Sequence, residues 1–75
     1  MEIKIINYDK ILYQGYIIFV VAPGISGYFQ ILVNHTNFIS ILKNGIIKLC
    51  SETKNIYKKI KGIFKIKNNS IIIFL

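Results

Sequence analysis

Apolar residues run along this chain in short bursts, and the spacing within each burst is that of strands rather than helices. Glu2-Ile3-Lys4-Ile5-Ile6 alternates polar with apolar, the pattern of a half-buried strand. Ile63 to Lys67 alternates strictly, which puts Phe64 and Ile66 on an inward face and Ile63, Lys65 and Lys67 on an outward one. Ile11-Leu12-Tyr13-Gln14 is a further short β-prone piece before Gly15, and Tyr8-Asp9-Lys10 reads as the turn before it. Tyr16 to Ala22 is continuously apolar and rich in β-branched and aromatic side chains, which suits a strand covered on both faces. Phe38-Ile39-Ser40-Ile41-Leu42 and Ile46-Ile47-Lys48-Leu49-Cys50 flank Lys43-Asn44-Gly45, whose Asn-Gly pair is the strongest short hairpin signal in the chain. Ser51 to Asn55 is a polar turn. Ile56 and Ile60 stand four apart, as on a helix face, but Gly62 stops the segment quickly, and a strand is expected there. Asn68-Asn69 turns the chain into Ser70 to Leu75, an almost wholly apolar closing strand with side chains directed to both faces.

The stretch from Val20 to His35 organises the rest. A run of apolar residues ends at Pro23-Gly24, a structure-breaking pair, and Gly27 offers a positive φ three positions later. Tyr28, Phe29, Ile31 and Leu32 restart an extended segment to Val33, and Asn34-His35-Thr36-Asn37 stops it. Turn signals this closely spaced predict an all-β domain, a small β-sandwich of roughly eight to ten short strands, spanning residues 1–75 as one unit. Gly15, Pro23, Gly24, Gly45 and Gly62 are its expected structural turns.

Composition narrows the functional classes. A chain of 75 residues buries only about 60–65% of its unfolded surface, so docking on another protein is a plausible part of its stability. The net charge is +7, all ten basic residues are lysine, and the apolar content is 53% and dominated by isoleucine. A basic surface is the usual footprint of nucleic-acid or anionic-membrane binding, but arginine, which forks onto phosphates and stacks on bases, is missing. Lysine, asparagine and isoleucine together are also what a strongly AT-rich genome yields. Cys50 stands alone and forms neither a disulfide framework nor a metal cluster. The uncharged span from Ile11 to Leu42 is broken by polar residues, Pro23 and glycines, and its longest apolar run is far short of the roughly 20 residues of a spanning helix. A soluble or peripheral protein is expected, without a secretory signal.

Catalytic chemistry has little to work with. Glu2, Asp9 and Glu52 fall in turns or at the terminus, with no spacing that pairs two carboxylates over one cleft. Pro23-Gly24-Ile25-Ser26-Gly27 lacks the lysine–hydroxyl pair and following helix of a phosphate loop. No catalytic, metal or cofactor residue is expected, and the protein is expected not to be an enzyme. His35, the single histidine, reads from its residue type alone as a solvated loop residue.

The order of these marks resembles the amino-terminal β-sandwich domain of the epsilon subunit of F-type ATP synthases. That family carries a strand, Pro-Gly, a glycine three positions on, an apolar strand and a histidine in the next loop, matched here by Pro23-Gly24, Gly27, Phe29–Val33 and His35. Leu42 and Gly45 continue the match, Ile3-Lys4-Ile5-Ile6 fits the first strand, Gly15 an early turn, Gly62-Ile63-Phe64-Lys65-Ile66 a late strand and Ser70-Ile71-Ile72-Ile73 the closing one. Gln30, Val33, Asn34 and Asn37 replace the family's usual Gly, Pro, Gly and Pro. Each lost proline loosens the loop by roughly 0.4–1 kcal/mol through the unfolded state.

The resemblance implies a non-catalytic rotor subunit of the central stalk that joins the gamma subunit to the c-ring. Such a subunit is peripheral, at the cytoplasmic face of the inner, energy-transducing membrane, with no cofactor and no direct nucleic acid. It places Ser26, Gly27, Tyr28 and His35 at the c-ring, with Tyr28 where many relatives have an acid. Relatives continue past the position of Leu75 into two helices that brake hydrolysis and in some cases bind ATP, so neither activity is expected of this chain. The alternative from another class is a small lysine-rich β-barrel that binds nucleic acid, whose mark would be aromatics interleaved with lysine on one exposed face.

Overall fold

The alternating stretches become strands with one buried face, and the turn signals decide where most of them end. The computed structural model describes residues 1–32 and 37–75. Seven strands make up the described chain: β1 Glu2–Asn7, β2 Lys10–Tyr16, β3 Phe19–Gly24, β4 Gly27–Leu32, β5 Phe38–Cys50, β6 Asn55–Lys67 and β7 Ser70–Phe74. They hydrogen-bond in one sheet of order β2-β1-β7-β6-β5-β3-β4, antiparallel at every step except β1 beside β7, which is parallel.

That sheet folds over on itself. Laid flat, seven strands at about 4.8 Å spacing would make a slab about 29 Å wide and one strand thick. The Cα envelope is instead 26 × 26 × 22 Å. One layer, A, is β2, β1, β7 and the crossing halves of β6 (62–67) and β5 (38–42). The other layer, B, is the remaining halves of β6 and β5 with β3 and β4. Ile3, Ile5, Phe64, Ile66, Ile71 and Ile73 from layer A face Val20, Ala22, Ile31, Ile47, Leu49 and Ile60 from layer B, all buried in one core. Phe29 of β4 closes the seam, with edge-to-face contacts of 5.1 Å to Phe64 and 5.3 Å to Phe38 between ring centroids. At the other end Lys58 points inward, and its Nζ lies 5.3 Å from the Tyr13 ring centroid.

The strand count is lower than expected because two expected breaks are continuous backbone. Lys43-Asn44-Gly45 is not a hairpin turn: Leu42 pairs Gly62 and Gly45 pairs Ile60, so two residues of β5 oppose one of β6 in a β-bulge. Gly62 lies inside β6, where the strand carries over from one layer to the other, and residues 56–61 are strand rather than helix. Gly15 is also no turn. It pairs Ile3 within β2, and the chain breaks two residues later, where Ile17 N–H donates to the Met1 carbonyl at 2.8 Å and Ile18 N–H to the Cys50 carbonyl at 2.7 Å. That break also divides the run from Tyr16 to Ala22 expected as one strand. Pro23 and Gly24 form the buried end of β3, and the turn itself is Ile25-Ser26. The expected turns at Tyr8-Asp9 and Asn68-Asn69 are present; both asparagines take positive φ, 52° and 61°, as a type I′ hairpin turn demands.

β7 carries the inward–outward split read from its sequence, with Ile71 and Ile73 buried and Phe74 exposed. It is a central strand between β1 and β6.

The crossing at Gly62 leaves no room for a side chain, since a Cβ there would lie 2.1 Å from the Phe74 carbonyl oxygen. Backbone cannot swing aside as a side chain would, so Gly62→Ala is expected to destabilise by about 1–3 kcal/mol. Gly15→Ala would meet only the Tyr13 hydroxyl at 3.0 Å, the far end of a side chain, and should stay within about 1 kcal/mol of wild type. Urea unfolding midpoints of the two variants, at unchanged slope, check the difference.

Candidate docking surfaces

Three of the four residues assigned to a ring contact sit together. Gly24 and Gly27 pair across the two-residue loop Ile25-Ser26, which joins β3 to β4. Gly27 has φ 130°, a conformation closed to residues with a Cβ, so the loop depends on glycine there. The tip is pinned from below by the Ile25 N–H, which donates to the Ile41 carbonyl at 3.0 Å. Ser26 and Gly27 are exposed at this tip, and Tyr28 opens β4 beside them, 57% exposed and paired with Pro23. Lys43 Nζ stands 5.8 Å from the Tyr28 ring centroid. The tip therefore presents an aromatic ring with an ammonium over it. His35, the fourth residue, lies outside the described residues. β4 runs about 17 Å away from the tip to Leu32, so the tip and the far end of that strand are separate places.

A second surface was not legible residue by residue. Ile41 pairs Ile63, Ile63 pairs Phe74, Phe74 pairs Ile6, and Ile6 pairs Ile11. Paired residues share a face, so these five side chains form one apolar row across five strands on the outside of layer A. Among the described residues nothing covers the row: 58% of Ile41, 47% of Ile63, 43% of Phe74 and 50% of Ile11 is exposed. Beside it the Leu75 N–H donates to the Ile6 carbonyl at 2.9 Å. The neighbouring rows turn polar. Gln14, Lys4, Ile72, Lys65 and Ile39 form the next, and Tyr16, Glu2, Ser70 and Lys67 the one after. The face thus grades from isoleucine and phenylalanine at one end to lysine at the other. An apolar row of this length on a monomer marks an interaction site.

The outer face of layer B is basic and aromatic. Lys48 Nζ lies 5.8 Å from the Phe19 ring and 6.0 Å from Tyr57. Phe64, which the sequence places amid lysines, belongs to the core. Among the described residues no three of His, Cys, Asp and Glu come together in a way that could hold a metal. Cys50 is a half-buried free thiol whose Sγ donates to the Ser51 carbonyl at 3.7 Å.

A family model for the β-sandwich domain of the ATP synthase delta/epsilon chain matches residues 1–75. The chain belongs to that family. It is similar to the ATP synthase epsilon chain of Leptospira interrogans, 35% identical over 74 residues, a match covering 97% of this chain and 58% of the relative. The epsilon chain of Chlorobaculum tepidum is 29% identical over 73 residues, covering 95% of this chain and 83% of the relative, and that of Gloeobacter violaceus 29% over 72, covering 95% and 54%. The chain thus spans little more than half the length of several curated relatives it matches. Family membership accords with the all-strand fold, the β-sandwich of that domain.

If the row is an uncovered docking surface, the double variant Ile41→Ser, Ile63→Ser should bind less of an apolar dye and stay monodisperse to higher protein concentration than wild type. Loss of exposed apolar contacts in a sheet costs about 1 kcal/mol, so the fold should survive. Dye fluorescence and light scattering over a concentration series measure both; unchanged values for the variant would show that the row is not the sticky surface.

Proposed function

We propose that this epsilon-type chain is a non-catalytic rotor subunit of the central stalk in a proton-translocating F-type ATP synthase, linking the gamma subunit to the c-ring. It would be peripheral to the inner, energy-transducing membrane, on its cytoplasmic face, held there through the complex. The observation that carries this reading is the exposed row Ile11-Ile6-Phe74-Ile63-Ile41, an apolar contact surface built into a rigid sheet. We assign the row to gamma and the tip Ser26-Gly27-Tyr28, with His35, to the ring. A part that carries torque has to hold its two contact surfaces at a fixed separation. A close-packed β interior does so, because it transmits strain instead of absorbing it.

With Tyr28 in place of an acid, the ring contact rests on aromatic packing and the phenolic hydroxyl rather than on charge pairing. Lysines stand beside Tyr28, Phe19 and Tyr57 on the outer face of layer B, the pattern the nucleic-acid alternative calls for. We favour the stalk because the family match runs over residues 1–75 and the chain has no arginine to fork onto phosphates.

Tyr28→Ala is expected to weaken association with the ring by about 1–3 kcal/mol and to leave gamma binding unchanged. The Ile41→Ser, Ile63→Ser variant is expected to do the reverse. Titration of each variant against purified gamma and against detergent-solubilised ring gives the check. Ring binding that survives Tyr28→Ala while gamma binding falls would invert the assignment.

A further inference from the structure

The sheet has two edges, and they are finished differently. β2, at one edge, begins with Lys10, and a register shift twists its pairing with β1 at Ile5/Ile6. A charge and a bulge are how natural sheets discourage unwanted strand addition. β4, at the other edge, has neither. Its six residues, Gly27-Tyr28-Phe29-Gln30-Ile31-Leu32, carry no charge and no proline, and its register with β3 runs without interruption from Gly24–Gly27 to Phe19–Leu32. Among the described residues β4 pairs with β3 alone.

The register fixes which backbone groups are free. Gly24 and Gly27 bracket a two-residue loop and so form the hydrogen-bonded pair that closes a hairpin. Hydrogen-bonded pairs alternate along an antiparallel ladder, so Ala22–Phe29 and Val20–Ile31 are bonded and Tyr28, Gln30 and Leu32 turn their N–H and C=O groups outward. Pro23 opposite Tyr28 fits the same phase, since a residue there donates nothing to β4.

We infer that the edge of β4 is a strand-addition site for an extended segment of a partner protein carrying carboxylates at alternate positions. The charge distribution selects this occupant. Lys43 lies over Tyr28, and the row Gln30-Val21-Lys48 brings a second ammonium within two strands of the edge, about 10 Å, which is about one Debye length at 0.1 M salt. The three acids lie elsewhere: Glu2 in β1, Asp9 in the turn after it, Glu52 in the turn between β5 and β6. A second copy of this chain carries the same net charge of +7 and would bring its own Lys43 and Lys48 toward those of the first. On the inward side of the added strand, apolar residues would lie against Phe29 and toward a groove of about 590 Å³ between the hairpin and Phe38 to Ile41. This goes beyond the stalk reading and holds whichever assembly the chain enters.

The probe is a peptide of about ten residues alternating Glu and Val, with amide hydrogen exchange read at Tyr28 and Gln30. Antiparallel addition puts a carboxylate residue directly opposite Gln30, so N-methylation of the Glu amides blocks the bonds to β4 and N-methylation of the Val amides does not. The unmethylated and Val-methylated peptides are expected to slow exchange about tenfold at roughly ten times Kd, and the Glu-methylated and Lys–Val peptides to leave it unchanged. Gln30→Pro should abolish the effect and Gln30→Ala retain it; the methylated probes make the same distinction on the unmodified chain. Absence of slowing with the Glu–Val peptide, or equal slowing with the Glu-methylated one, overturns the proposal. Protection that grows with protein concentration and no peptide would assign the edge to a second copy and overturn it as well.

Discussion

β5 and β6 cross from one layer to the other within a few residues of Leu42 and Gly62, and the rest of the architecture depends on that crossing. Each is a single strand of 13 residues that serves both layers. The bulge at Lys43-Asn44 adds one residue to β5 and resets its inward phase, so that Leu42 faces the core before it and Ile47 and Leu49 after it. Gly62 lets β6 pass the end of β7 at a distance no other residue allows. Given that bend, one sheet of seven strands encloses a core without a second sheet and without a helix among the described residues.

The bend also decides what the outside looks like. Because the inward set is saturated with Ile, Val, Leu and Phe, every other residue of each strand must face out, and in a chain 53% apolar many of those are apolar too. They are not scattered. The pairing register lines Ile11, Ile6, Phe74, Ile63 and Ile41 into one row and sends lysines to the other rows and to layer B. A small domain with a long apolar row exposed among its described residues would gain burial from a neighbour laid on that row.

Much of this could be read before any coordinates. Alternation identified Phe64 and Ile66 as inward and split the closing strand between two faces, because period two is a local property; which set of that strand faces in, Ile71 and Ile73, came from the structure. A turn within Pro23 to Gly27 and the positive φ of Gly27 followed from proline and glycine chemistry, though not that the turn itself is Ile25-Ser26, and the spacing of Pro23-Gly24, Gly27 and the later marks was enough to place the family. What stayed hidden depends on partners distant in sequence. Lys43-Asn44-Gly45 has the composition of a hairpin turn and is a bulge, since β6 continues alongside it and hydrogen-bonds both halves of β5. Gly15 and Gly62 look like stops but lie inside strands, and of the two only Gly62 has neighbouring backbone crowding its α-carbon. The apolar row was invisible for the same reason: Ile63 was recognisably outward, but a single strand carries no record of its register with Phe74 or Ile41.

The central claim is that one folded-over sheet offers two distinct docking surfaces to two different partners. It is tested most directly by photo-cross-linking in the purified, assembled complex, with a short reactive probe on a cysteine placed at position 28 or at position 63, in a chain whose own Cys50 is replaced by serine. The account predicts that position 28 labels the ring and position 63 labels gamma, each with little crossover. Both positions labelling the same partner, or position 63 remaining unlabelled and open to solvent in the intact complex, would contradict it.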